Sequence, residues 1–145
     1  MNFRESVGQR WILVADSDEA SARFVASFLL RVRLRAYPTA RGVEAMRLVT
    51  RLRLGLAVVD VELSDMPGGE LVRKLRACEP TLPIVMTTSD YSPATEVQSR
   101  QLGIIQYIHK PIDLQRLDRV VSRIFSPDAE TAARVTVASN RNGAA

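Results

Sequence analysis

Several short apolar runs in this chain end on side chains able to handle phosphate or a hard cation. Trp11–Ala15 stops at Asp16, residues 56–59 stop at Asp60, residues 84–86 stop at Thr87 and Thr88, and residues 104–108 lead into His109, Lys110 and Pro111. Two carboxylates, a hydroxyl and an ammonium can position a divalent cation and a phosphoryl group together. Mg²⁺ takes carboxylate oxygens along with water and substrate phosphate, and lysine offers phosphate oxygens a point charge. An aspartate placed among them can act as a nucleophile and form an acyl phosphate. Each residue has a plainer alternative: aspartate caps helices and shapes turns, Thr88 suits a strand end, and a lysine is ordinarily solvated. The combination outweighs these alternatives. The chain has only two lysines, and one stands directly before a proline, which restricts the backbone that aims it.

These residues need elements to bring them together. Trp11–Ala15 is rich in β-formers and predicts a buried first strand. From Asp18 on, Ala20, Phe24, Val25, Phe28, Leu29 and Val32 recur at helical spacing, with Asp18 and Glu19 near the positive end of the helix. A short second strand is expected over residues 34–37, with Pro38 at its end or on an edge. A helix over residues 42–52 would bury Ala45, Leu48, Val49 and Leu52, and residues 56–59 form the third strand. The loop Ser64-Asp65-Met66-Pro67-Gly68-Gly69 opens a third helix, which turns Leu71, Val72 and Leu75 inward and ends by Pro80. Residues 84–86 form the fourth strand. A helix from Pro93 to about Leu102 follows, closed by Gly103. Residues 104–108 give the fifth strand, and Leu114, Leu117, Val121 and Ile124 mark the last helix. Strands alternating with helices predict an α/β fold: a five-stranded parallel sheet, doubly wound as (βα)5, with helices on both faces. In such a sheet the ligand site lies beyond the carboxyl ends of the strands, where Asp16, Asp60, Thr88 and Lys110 would meet.

The 145 residues, 46% hydrophobic, suit one sizeable core. No apolar run approaches the roughly 20 residues of a membrane span, and residues 1–10 lack a signal core, so neither a membrane partner nor secretion is expected. Cys78 is the only cysteine, which excludes an intrachain disulfide and a cysteine metal site and fits a reducing, cytoplasmic setting. The net charge is +4 and mostly arginine. The bland account is that Arg31, Arg33, Arg35, Arg47 and Arg51 solvate helix and edge-strand faces. No DNA-binding motif is recognisable, and a nucleic-acid partner is not expected. Residues 1–10 are expected to be a flexible leader and residues 11–125 the domain. Residues 126–145 read as a disordered tail, in which Ser126-Pro127 is a potential helix start.

The chain resembles the receiver domain of bacterial response regulators, the CheY-like two-component family, over about residues 11 to 125. The matching stretches are Ile12-Leu13-Val14-Ala15-Asp16-Ser17-Asp18-Glu19, Val58-Val59-Asp60 with Gly68 eight positions on, Ile84-Val85-Met86-Thr87-Thr88-Ser89, and Tyr107-Ile108-His109-Lys110-Pro111. The resemblance implies a phosphoacceptor signalling domain rather than a conventional enzyme. It takes a phosphoryl group on Asp60 from a histidine kinase or phosphotransfer protein, with Mg²⁺, and catalyses only its own phosphorylation and dephosphorylation. Asp16, Asp60 and the backbone carbonyl of Glu62 would hold the metal, and Thr88 and Lys110 would contact the phosphoryl oxygens. Thr88 and Tyr107 would form the switch pair. The face made by the fourth helix, fifth strand and fifth helix would carry the output to a downstream protein target or to a homodimer partner. Residues 126–145 are not expected to form an output domain, so docking rather than direct transcription control is expected. Asp90 and Glu62 are candidates for tuning attack of water on the acyl phosphate.

Two positions depart from the family pattern. Ser17 stands where a second acid usually binds the metal, with Asp18 and the Glu62 side chain as candidate substitutes, and Ser64 stands where a proline usually follows the acceptor. Ser17 is the reason to weigh an alternative, a phosphorylation-independent pseudo-receiver that acts as a docking module. A flavodoxin-like electron carrier shares the topology, but the acidic Asp16-Ser17-Asp18-Glu19 turn would repel a flavin phosphate. His109, the only histidine, is expected to be packed or outward rather than a relay residue.

Overall fold

A computed structural model describes residues 10–125. The leader and tail expected from the sequence lie, apart from Arg10, outside the described residues, as does a helix starting at Ser126-Pro127. The described elements alternate as β1 (Trp11–Ala15), α1 (Glu19–Arg31), β2 (Ala36–Thr39), α2 (Gly42–Arg51), β3 (Leu54–Asp60), α3 (Gly68–Cys78), β4 (Ile84–Thr88), α4 (Pro93–Arg100), β5 (Gln106–His109) and α5 (Leu114–Phe125). The five strands form one parallel sheet in the order β2-β1-β3-β4-β5. The chain winds outward first one way and then the other, so the loops after β1 and β3 diverge and leave a crevice at the carboxyl rim. The chain divides after Ile112 into two units. In the second unit, the Asp113 carboxylate accepts from the amides of Gln115 and Arg116 to start α5.

Alternation along the strands sorts the core. Leu13, Ala15, Ala57, Val59, Ile84, Met86 and Tyr107 point to one face, where Ala45 and Val49 of α2 and Leu71, Val72 and Leu75 of α3 cover them. Ile12, Val14, Leu56, Val58, Val85 and Ile108 are buried on the opposite face. β3 is buried along its whole length, as its central place requires.

Several boundaries differ from the sequence expectation. The second strand is Ala36–Thr39 rather than 34–37 because the end of α1 consumes the earlier residues. The amides of Val32, Arg33 and Leu34 bond back to the carbonyls of Phe28, Leu30 and Leu29, with Arg33 at φ 65°. Pro38 then falls inside an edge strand, where a missing amide costs nothing. β3 begins two residues early and includes Asp60. β5 starts at Gln106, since a turn through Leu102 and Gly103 (φ 71°) precedes it. The buried stripe of α1 is Ala22, Val25, Ala26 and Leu29, while Ala20 is exposed and Phe24 is 52% exposed. Small Ala22 and Ala26 let the helix sit close to the sheet, and the bulky phenylalanine turns outward.

Candidate functional site

The carboxyl rim brings Asp16, Asp60 and Lys110 into direct contact. Lys110 Nζ lies 2.7 Å from Asp16 Oδ2 and 2.7 Å from Asp60 Oδ2, with side-chain exposures of 16%, 5% and 7% respectively. Each carboxylate also caps its own turn. Asp16 Oδ1 accepts from the Asp18 amide at 3.0 Å, and Asp60 Oδ1 accepts from the Glu62 amide at 2.9 Å. The turn-forming role of both aspartates is therefore realised, and each also pairs with Lys110. The backbone folded over each carboxylate fixes one oxygen and leaves the other to the ammonium.

The electrostatics follow from burial and pairing. Burial pushes the Asp16 carboxyl above its ordinary value and outweighs the opposing hydrogen bond from Lys110, while the nearby Asp60 charge adds to the rise. Burial acts to lower Lys110, but hydrogen bonds and charge from both carboxylates prevail and its pKa is raised. The ion pair thus shows in the lysine and not in Asp16, because one cation is shared between two acids that are both out of water.

Strand register supplies a residue that sequence reasoning missed. Asp60 pairs with Thr87, not Thr88, across β3 and β4, and the buried Thr87 hydroxyl donates to Asp60 Oδ2 at 3.3 Å. Asp60 and Thr87 therefore share a face, and alternation sends Thr88 to the other, where Thr88 pairs with His109. The Thr88 hydroxyl accepts from the Asp90 amide at 2.8 Å. Only the pairing register distinguishes the two threonines, and no local signal in a Thr-Thr pair contains it.

Tyr107 is 2% exposed with its ring inside, and among the described residues its hydroxyl has no hydrogen-bond partner. Burial pushes the phenol up, against a weaker pull from the Thr88 hydroxyl. His109 is packed: its ring stacks on Tyr91 at 4.4 Å and meets Tyr107 edge-on at 5.3 Å. Asp90 accepts from the Thr95 hydroxyl at 2.7 Å and the Ser92 amide at 2.8 Å, which ties its carboxylate into the loop before α4 and lowers its pKa.

The two departures from the family pattern have structural answers. Asp18 is the N-cap of α1, accepting from the amides of Ala20 and Ser21, so its carboxylate is committed to the helix rather than free to replace a second acid. Ser64 donates both its amide (3.2 Å) and its hydroxyl (2.7 Å) to the Ala40 carbonyl, a pair of bonds a proline could not make. Next to it, Asp65 accepts from the Gly42 amide at 2.7 Å and the Val43 amide at 3.0 Å. A loop after β3 therefore caps α2, whose own N-cap, Arg41, has no side-chain cap bond. Gly68 closes the same loop, its amide donating to the Val61 carbonyl at 2.8 Å.

The donor chemistry suits a hard divalent cation. The carboxylates of Asp16 and Asp60 and the backbone at Glu62 gather at one rim, and such an ion keeps several waters. Among the described residues no group of three or more His, Cys, Asp or Glu side chains is set to hold a metal. A cation at this rim would therefore rely on the two carboxylates of Asp16 and Asp60, both paired with Lys110, and on water.

A parallel five-stranded sheet in the order β2-β1-β3-β4-β5, with an acid pair and a lysine at its carboxyl rim, defines a doubly wound α/β module of the CheY-like fold. The chain belongs to the response regulator receiver domain family, whose model matches residues 12–122. The transcriptional regulatory protein ZraR of Salmonella typhimurium is 27% identical over 128 residues, which cover 88% of this chain and 29% of that protein. A CheY-like receiver domain protein from Methanospirillum hungatei superposes with a TM-score of 0.75 at 25% identity, covering 85% of this chain and 99% of that one. A Burkholderia pseudomallei response regulator solved with a phosphorylated aspartic acid, calcium ion and citrate gives 0.70 at 24% identity, covering 89% and 74%. The family match excludes the flavodoxin-like alternative. No helix among the described residues is long and apolar enough to cross a membrane.

Proposed function

We propose that this domain accepts a phosphoryl group on Asp60 from a phosphohistidine donor, a histidine kinase or phosphotransfer protein, and signals through a changed surface that includes α4 and β5. The observation that carries the reading is the single ammonium of Lys110 at 2.7 Å from both Asp16 and Asp60. An Asp60 carboxylate oxygen attacks phosphorus as the P–N bond to the donor imidazole breaks, leaving an acyl phosphate and a histidine that takes a proton. Lys110 exchanges a carboxylate partner for the incoming phosphoryl oxygens, whose charge it neutralises. Asp16, Asp60 and the Glu62 carbonyl would hold Mg²⁺, which when bound neutralises phosphoryl charge. Thr88, which lies on the other face of β4, would have to swing from the Asp90 amide round the strand end to reach the phosphoryl group, and Tyr107 would be the ring that responds. The relative with a phosphorylated aspartic acid and calcium supports this reading by analogy.

A second reading, a docking module that no longer uses phosphate, is favoured by Ser17 and by the commitment of Asp18 to the helix cap. Incubation with Mg²⁺ and a small acyl phosphate, followed by intact mass measurement, separates the two. A one-phosphoryl gain in the wild type that is absent from Asp60→Asn is expected. No gain at any Mg²⁺ concentration overturns phosphorylation in favour of the docking module.

A further inference from the structure

Arginines that the sequence spreads over two helix ends and two connections meet at one end of the sheet. We propose that this end docks on the phosphate backbone of duplex DNA. All five strands are parallel, so every helix-to-strand connection falls at the amino rim, opposite Asp60. One connection brings Arg33 and Arg35 after Arg31 of α1, and the other brings Arg53 after Arg47 and Arg51 of α2. The two are neighbours: the Ile12 amide donates to the Arg35 carbonyl at 2.8 Å and the Trp11 amide to the Arg53 carbonyl at 2.7 Å, so these arginines flank the start of β1.

The charge there is concentrated: among the described helix-to-strand connections the exposed Glu79, between α3 and β4, is the only acid. Residues 30–36 and 47–54 contain no Asp or Glu, whereas Asp16, Asp18, Asp60, Glu62 and Asp65 gather at the far rim. Arg31, Arg33, Arg47, Arg51 and Arg53 are exposed. Described ion pairs engage Arg23 and Arg100 elsewhere but none of the arginines at this rim. Complementing the helix dipole accounts for Arg31 and Arg51, which sit in last turns. It does not account for Arg33, Arg35 and Arg53, which lie beyond the helix ends. Like charges crowded on one rim repel, and a polyanion relieves that repulsion.

The residue types select the polyanion. Guanidinium forks pair with phosphate oxygens two bonds at a time, and these segments hold arginine and no lysine. Single strands bind by stacking on exposed aromatics, but the one aromatic here, Trp11, is only partly exposed and lies 5.4 Å beneath the Arg35 guanidinium. Duplex RNA is read partly through its 2′-hydroxyls, and the one hydroxyl in these segments, Thr50, donates to the Arg47 carbonyl. A membrane surface would call for aromatic anchors beyond the exposed aliphatic pair Leu30 and Val32.

The test is fluorescence anisotropy of the full chain with a labelled mixed-sequence duplex of about 20 base pairs over a salt series. Binding that weakens linearly in log–log with salt is expected. Arg33→Glu with Arg53→Glu should weaken it at least tenfold and reduce the salt slope by about two, one for each phosphate no longer neutralised. Arg23→Glu with Arg73→Glu carries the same charge change away from this rim and should shift affinity less than threefold. Circular dichroism checks folding; if the first pair does not fold, Arg51→Gln with Arg53→Gln replaces it with the same expected direction. Equal losses in both pairs, no duplex binding at low salt, or tighter binding to single-stranded RNA, polyglutamate or phosphatidylserine vesicles overturns the proposal.

Discussion

Two adjacent glycines at the start of α3 should respond to the same substitution with opposite signs. A Cβ on Gly68 would lie 1.9 Å from the Asp60 carbonyl oxygen and 2.9 Å from its carbon, so backbone would have to move. A Cβ on Gly69 meets only the Leu102 Cδ1 atom at 3.4 Å, an ordinary contact. Gly68→Ala must displace either the helix start or the end of β3, and it strains the 2.8 Å bond from the Gly68 amide to the Val61 carbonyl. Overpacking of this kind costs about 1–3 kcal/mol, and a strained hydrogen bond adds up to about 1 kcal/mol. The entropy removed from the unfolded chain returns only about 0.4–1 kcal/mol. The net expectation is a loss of about 1–3 kcal/mol for Gly68→Ala and a gain of about 0.5 kcal/mol for Gly69→Ala. In urea denaturation the first should lower the midpoint by about 1–2 M and the second should raise it slightly. Equal effects, or a Gly68→Ala change within about 0.5 kcal/mol of wild type, would refute the argument that α3 is held at closest approach to Asp60.

Lys110→Met leaves two buried carboxylates without their cation and should destabilise the fold at neutral pH by about 3 kcal/mol, the lower end for a broken buried pair. The folded pKa of Lys110 is raised, so its stabilisation is complete below 10.5 and fades as pH climbs through the folded value. A denaturation midpoint that falls above pH 10.5 in the wild type but not in Lys110→Met is the expected signature. Asp65→Ala should speed hydrogen exchange at the Gly42 and Val43 amides and lower the melting temperature. Hydrogen bonds hold the Asp65 carboxyl below 3.8, so its contribution is present above that pH and lost as pH falls through the folded value. Unchanged exchange at those amides would rule out the cap. Thr87→Val removes a donor from Asp60 that is strongest while the carboxylate holds full charge. Phosphoryl uptake from a small acyl phosphate should quicken by up to roughly fivefold, the equivalent of about 1 kcal/mol. Slower uptake would instead make the hydroxyl an orienting group.

Much of the module is legible in the order of its residues. Apolar runs such as Trp11–Ala15 and residues 56–59 can be buried only as strands in the middle of a parallel sheet, and the helices between them announce their inward faces through three- and four-residue spacing. Placing Asp16, Asp60 and Lys110 at one rim follows from that topology, because parallel strands end together. The helix that misled, α1, did so because Phe24 and Phe28 look like core residues, whereas close approach to the sheet selected Ala22 and Ala26.

Local order thus determined the elements, their sequence along the chain and the acid and lysine at the strand ends, since periodicity and turn chemistry act over a few residues. Tertiary structure alone decided which side chains touch. Parallel pairing set Thr87, rather than Thr88, against Asp60, the β3–α3 loop lent Asp65 to a helix more than twenty residues earlier, and the amino rim gathered arginines from separate connections. Those outcomes depend on register and on distances across the sheet, which a linear chain does not encode at any one position.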